Sequence, residues 1–271
     1  MVELLKLDFK NCINSFKFKI CFLSIFIISI ISYLGTCLRY FNSTSIELTS
    51  SSNLGLLMNP ETKELYFILL FALPLISGFI YADSFIYERE NNICIYYFLR
   101  KKRILYIISK IVVNFIVVFF TIFIGLSLNE LLINFAIPDI GVLSDSATPA
   151  YQLVTIKPKI IRAFNNDLYL SHPHIYNYYI IAITALFSAL ISVISFNISL
   201  IFRMKKVTLL IITFLIVNIS AFILPENYQF QMYIQAVPGE LSDFYIVLFG
   251  WISLFIITAA VGVWRVSISD E

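Results

Sequence analysis

Residues 20–38 form a run of nineteen residues without one charged side chain. As a helix rising 1.5 Å per residue it covers about 28 Å, close to the ~30 Å hydrocarbon core of a bilayer. Composition excludes hiding such runs in a soluble core. Of the 271 residues 59% are hydrophobic and 13% charged, and the mean hydropathy is +0.87. A soluble domain of this size lacks the interior for that much apolar surface. The run also differs from a signal peptide, whose apolar core is about 7–15 residues long and ends at a small-residue cleavage site. "YLGTCLRYF" offers no such site, so the segment reads as a retained span.

Five further runs, at 65–82, 104–128, 175–202, 207–225 and 244–264, have the same character. Lipid leaves no partner for an unpaired backbone amide, so all six are predicted to be helices. The expected fold class is all-α integral membrane: one transmembrane domain over 1–271, six spans, and an amino-terminal amphipathic interfacial helix. Pro74 removes a backbone donor from the second span and predicts a kink. The fourth span is longer than a crossing needs and is expected to tilt or project.

Orientation follows from Lys and Arg in the loops. With the amino terminus inside, fourteen of the nineteen fall on the cytoplasmic side, leaving Arg39, Lys63, Lys157, Lys159 and Arg162 outside. Both termini are then cytoplasmic, in the plasma membrane of the cell. Residues 83–103 become a cytoplasmic loop, and Arg100, Lys101, Lys102 and Arg103 anchor the third span at the headgroups. The outer segments are 39–64, 129–174 and 226–243. The middle one is long enough to be functional or partly ordered.

The first nineteen residues read differently. Leu5, Phe9, Cys12 and Phe16 recur at helical spacing and predict one apolar stripe, beside which lie Lys6, Lys10 and Lys17. Such a helix is expected to lie along the inner surface with its lysines toward anionic lipid.

Ionisable side chains inside membranes are costly and mark proton or ion pathways. The central thirds of the six spans hold none. Asp83 and Glu130 sit at span ends, and Lys110 is close enough to the inner edge to snorkel outward. That disfavours an ion-coupled carrier. Small polar residues are present instead: Ala185, Ser188, Ser192, Ser195 and Ser199 form a seam for close helix approach. Asn114, Asn197 and Asn218 are each expected to find a partner inside the bundle, in packing or along a substrate pathway.

No phosphate loop, H-E-x-x-H or G-x-S-x-G occurs, so catalysis is not expected, and any ATP would be hydrolysed by another polypeptide. No C-x-x-C pair joins Cys12, Cys21, Cys37 or Cys94. His172 and His174 in "SHPHIY" lack nearby Cys, Asp or Glu in sequence, and no metal is expected there. Asn42-Ser43-Thr44 fits the glycosylation pattern, which is common by chance.

The stretch "DSFIYERENN" followed by "YYFLRKKRILYIISK" carries a family resemblance. With an inner-surface helix and six spans, it resembles the permease subunit of a bacterial ATP-binding-cassette exporter of the type-2 class. There an acid ends the second span, an E-R-E-like cluster follows, and then a Leu, a basic stretch, an aromatic and a Lys. Asp83, Glu88, Arg89, Glu90, Leu99, Arg103, Tyr106 and Lys110 occupy those positions. The family often has glycine where this chain has Asn91 and Asn92. Asn tolerates the left-handed backbone that glycine supplies.

The resemblance implies that Asp83, Glu88, Arg89, Glu90, Asn91 and Asn92 form a coupling loop docking on a separate ATPase. It further implies two ATPase copies holding ATP and Mg, a second permease subunit against the first and fifth spans, and outward movement of cargo between protomers. A pathway without charge suits an amphipathic or hydrophobic cargo such as a peptide, lipid or drug. Richness in Ile, Phe and Asn is common in AT-rich bacterial genomes, where peptide export and self-immunity are frequent uses of such permeases. The other readings are a non-transporting sensor or scaffold whose loop 129–174 binds a ligand, and the ion-coupled carrier already disfavoured. Nucleic acid is not an expected partner.

Overall fold

Every element of the structure, a computed structural model, is helical over the residues it describes: 2–41, 50–57, 63–94, 96, 103–137, 168, 171–225, 228–234 and 244–268. Asn42, Ser43, Thr44, Arg100, Lys101, Lys102 and most of the segment 129–174 lie outside them. Six helical stretches are long and apolar enough to cross a membrane, which makes this a multi-pass helical membrane protein. They are α2 (Phe16–Arg39), α3 (Lys63–Ile80) continuing through a turn into α4 (Ser84–Glu90), α5 (Arg103–Ala136), α6 (Pro173–Ile201), α7 (Lys206–Ile223) and α9 (Phe244–Ile268). Two shorter helices are α1 (Val2–Asn14) and α8 (Phe230–Ile234), and a single 3-10 turn spans Ser51–Asn53.

The break between α1 and α2 is a capping event. Ser15 leaves the helical region, with ψ at 141°, and its hydroxyl accepts the Phe18 amide at 3.1 Å. One orphan donor of the new helix is thereby satisfied, and the chain changes direction. The inward line of α1 is Leu4, Asp8 and Cys12: Cys12 belongs to the stripe expected from the sequence, while Leu4 and Asp8 each stand one position before the expected Leu5 and Phe9. Phe9 and Phe16 are exposed instead, at 42% and 77%. A carboxylate has taken the place that the apolar pattern assigned to Phe9. Its partners explain why.

Helix α6 is the axis of the bundle. Of its most apolar stretch 83% is buried, against 17% for α7 and 11% for α9, which line the outside. The serine seam makes α6 fit for that position. Ser192 donates to the Ser77 carbonyl on α3 at 2.6 Å and lies 2.9 Å from Asn114 Oδ1 on α5. Asn114 returns a bond to the Ser192 carbonyl at 3.1 Å. Ser195 meets Thr213 of α7 at 2.7 Å, and Asn197 reaches Thr258 of α9 at 3.2 Å. Ser188 and Ser199 bond carbonyls of their own helix, which satisfies the hydroxyls and keeps that face narrow.

Asn218 departs from expectation. It is half-buried and donates to the Phe214 carbonyl of its own helix, because α7 turns Leu209, Thr213 and Val217 inward instead. Ser192→Val removes the hydroxyl that the Ser77 carbonyl and Asn114 share as a donor and adds bulk between three helices. A loss of about 2–3 kcal/mol is expected, read as a lower unfolding midpoint in detergent.

The third span is longer than the sequence suggested. It continues through Asn129 and Glu130 to Ala136, 34 residues in all, or about 51 Å of helix. Near that far end α2 and α5 meet closely: Ser29 donates to the Gly125 carbonyl at 2.7 Å, and a Cβ on Gly125 would sit 2.5 Å from Ile25 Cγ2. Ile25 is fully buried and branched at Cβ, so it cannot swing clear. Gly125→Leu is therefore expected to part α2 from α5 and lower stability by about 3 kcal/mol or more, again measurable as an unfolding midpoint.

Candidate functional site

After Ile80 the chain turns through Tyr81, Ala82 and Asp83 and starts α4. The Tyr87 amide returns to the Asp83 carbonyl at 3.0 Å, so Asp83 is the cap of a two-turn helix. α4 is amphipathic in an unusual sense. Its inward face, Ser84, Phe85, Ile86 and Glu88, is buried, while Tyr87, Glu90 and Asn91 are exposed.

Two acids of the predicted docking set thus point inward, Asp83 at 6% exposure and Glu88 at 8%. The Asp83 carboxylate is ion-paired with Lys17 at the start of α2, whose ammonium also lies 5.5 Å over the Phe79 ring. Glu88 is held by two groups of α5: Lys110 Nζ at 2.6 Å from Oε1, and the Tyr106 hydroxyl on Oε2.

Lys110 does not snorkel. It has no exposed surface, and its ammonium lies 3.4 Å from Asp8 Oδ1 and 3.3 Å from the Tyr81 hydroxyl. The rings of Tyr81 and Tyr106 flank it at 5.2 and 5.0 Å. Asp8 completes the cluster by accepting Ser109 Oγ at 2.6 Å and the Tyr81 hydroxyl at 3.2 Å. These contacts are what turned Asp8 inward in place of Phe9. One ammonium and two carboxylates, with three hydroxyls donating to the excess negative charge, tie α1, α3, α4 and α5 into one body. Such a cluster is strongly destabilised when one member is lost, because the others stay buried without compensation.

Two thiols border it, Cys12 on α1 and Cys94, which lies 3.7 Å from the Tyr106 hydroxyl. Burial pushes the Cys12 thiol up to about 12 and the Cys94 thiol above its ordinary value, so both stay protonated.

The outer face carries the remaining motif residues. Arg89 lies 5.7 Å over the Phe85 ring, and Glu90 meets Lys206 at 3.3 Å across the entrance of α7. Lys206 also lies 4.8 Å over the Tyr87 ring. Asn91 donates to the Tyr87 carbonyl at 2.7 Å and ends the helix. Asn92 has a φ of 57°, a left-handed turn that asparagine tolerates. Arg103 bonds the Val266 carbonyl at 3.2 Å, tying the start of α5 to the last turn of α9.

Sequence reasoning missed Asp8 and Lys110 as members of this site. The available signal was a lone lysine seven residues into an apolar run, with Tyr106 one turn before it and Ser109 beside it. Length alone places it near the boundary, where a lysine is expected to reach outward.

A second buried polar group lies toward the other end of α5. Glu130 Oε1 accepts Asn177 Nδ2 at 2.8 Å and lies 3.0 Å from His174 Nδ1. His174 Nε2 is 3.5 Å from Ser51 Oγ, and His172 stands exposed before α6. Among the described residues no three His, Cys, Asp or Glu side chains come together as a metal site.

No family model matches the chain, and neither a curated protein nor a solved structure matches it.

Proposed function

We propose that the chain is the membrane-spanning subunit of an ATP-driven exporter in a bacterial cytoplasmic membrane, with α4 as the element a separate ATPase moves. The observation that carries this reading is the two-sidedness of α4. Its inner face is fixed by Lys17–Asp83 and Lys110–Glu88 to α2 and α5, and through Lys110–Asp8 to α1. Its outer face offers Tyr87, Glu90 and Asn91, with Arg89 at the side.

A permease without nucleotide chemistry of its own responds to ATP only through a contact that transmits displacement. A short helix in a solvated loop would yield under load. One clamped on its inner side passes the load to three other helices. In this reading Asp83 and Glu88 position the lever, while Tyr87, Arg89, Glu90 and Asn91 meet the ATPase. Arg100, Lys101, Lys102 and Arg103 hold the next span at the headgroups. ATP and Mg belong to the partner, two copies of which serve two permeases, identical or not. The serine seam, including Ser188, Ser192, Ser195, Ser199 and Asn197, serves helix packing.

The cargo class is amphipathic or hydrophobic: a peptide such as a bacteriocin, a lipid or a drug. Immunity to an antimicrobial peptide is one use that fits. The termini face the cytoplasm on this reading.

The test is co-purification. The tagged chain is extracted from its native membrane in mild detergent and its partners are identified by mass spectrometry. A stoichiometric ATP-binding-cassette subunit is expected. Its absence from the wild-type complex would discard the exporter reading in favour of a sensor or scaffold.

A further inference from the structure

Helix α5 places Glu130 twenty residues beyond Lys110, about 30 Å along the same helix and so at the opposite end of the bundle. There the segment 50–57 folds over the ends of α2, α5 and α6, held by polar bonds. Asn129 accepts the Leu56 amide at 2.8 Å and donates to the Ser29 carbonyl at 2.8 Å, and Asn177 donates to the Ser52 carbonyl at 2.7 Å. Beneath it lies a cleft of about 10 Å³ lined by Gly55, Leu56, Asn129, Glu130 and Asn177 among apolar neighbours. That is room for one particle the size of a water molecule.

Two features of the lining ask for a positive occupant. Glu130 is only 3% exposed, and Asn177, also 3% exposed, spends both protons of its amide nitrogen while its Oδ1 has no hydrogen-bond partner. The second carboxylate oxygen, Oε2, lies against Gly55 so closely that a Cβ there would stand 2.6 Å from it. A buried carboxylate beside an unpartnered amide oxygen is costly as it stands. His174 Nδ1 lies 3.0 Å from Oε1, on the side of the carboxylate away from the oxygen that meets Gly55. The segment 50–57 contains no ionisable residue, and α6 carries Tyr176 and Tyr178 beside His174 and Asn177.

We propose that this cleft is a binding site for one small monovalent cation of the sodium class, held by Glu130 and Asn177 Oδ1. The donor set is all oxygen with a single negative charge, which suits a hard singly charged ion; calcium sites gather six to eight oxygens and usually several carboxylates. Bound there, the ion pins the segment 50–57 to α5 and α6.

The experiment follows thermal unfolding of the purified full chain at one fixed pH, in sodium, potassium or N-methylglucamine chloride at equal ionic strength. Sodium is expected to raise the midpoint saturably, by about 3–5 °C at tenfold excess over Kd. Glu130→Gln keeps an acceptor for Asn177 and loses the charge, and should abolish the sodium effect. Gly55→Ala keeps the charge but displaces the carboxylate, and should weaken sodium at least tenfold. Equal midpoints in sodium and N-methylglucamine for the wild type overturn the proposal. A sodium effect undiminished in both variants places the ion elsewhere and overturns it equally.

Discussion

Lys110→Met is expected to yield almost no monodisperse protein, although methionine is close to lysine in length and the substitution makes the helix more apolar. The reason is what stays behind. Asp8 and Glu88 are buried at 3% and 8% exposure and would face each other across an apolar gap with no cation between them. Stranding buried charge in this way costs about 3–5 kcal/mol, a large part of the 5–15 kcal/mol that holds a typical domain folded. The same arithmetic predicts a rescue. In the triple variant Asp8→Asn, Glu88→Gln, Lys110→Met, no charge remains, yet Ser109, Tyr81 and Tyr106 keep acceptors. Replacing all members of a buried ionic group is often neutral or stabilising, so the triple variant is expected near the wild-type midpoint. Size-exclusion profiles and thermal midpoints in one detergent decide it. A single variant as stable as wild type would show that Lys110 compensates nothing. A triple variant no better than the single would assign the loss to packing.

That comparison also shows what the sequence could and could not convey. The six spans were legible because length and apolarity suffice to define a crossing helix, whatever its neighbours do. The serine seam was legible too, since small hydroxyl residues at alternating three- and four-residue spacing have one obvious use in a bundle. Asn92 kept its turn because only a few residues tolerate a φ of 57°. What failed were judgements on individual charged and polar residues at the ends of helices, whose partners lie far away in the chain.

The third span was ended at residue 128 because Asn129 and Glu130 look like water-facing residues, yet both are buried against Leu56, Ser29, Asn177 and His174. The α1 pattern holds at Cys12 but misses Asp8, because periodicity counts apolar residues and has no term for a carboxylate with three donors around it. Lys110 looked free to reach the edge because nothing within its own helix revealed the two acids waiting for it. Glu88 and Glu90 stand two apart in one motif and looked alike. A helix turns about 200° between them, and so one is buried and the other exposed.

That difference sets the strongest functional prediction, for the paired change Tyr87→Ala, Glu90→Arg. Tyr87 is 52% exposed, and the Glu90 side chain 51%. Within this chain the Glu90 carboxylate pairs with Lys206, whose ammonium lies over the Tyr87 ring, an exposed contact of the kind worth about 0–1 kcal/mol. Changing both is expected to leave the unfolding midpoint within about 2 °C of wild type. If α4 docks on an ATPase, the same change removes an aromatic anchor and reverses a charge at the centre of the contact. Anchors of that kind cost about 2 kcal/mol or more, so the affinity for the co-purified ATPase should fall about 30-fold and ATP-driven transport with it.

Glu88→Gln supplies the opposite control, since it loosens the lever from inside: the midpoint should drop while the outer face still binds. Both effects are read by titrating the ATPase onto detergent-purified variants and measuring their midpoints in parallel. Full affinity in the Tyr87/Glu90 variant would remove α4 as the docking element. Lost affinity with an unchanged midpoint would separate binding from folding, which Glu88 and Lys110 cannot do, because each of them serves the clamp before it can serve a partner.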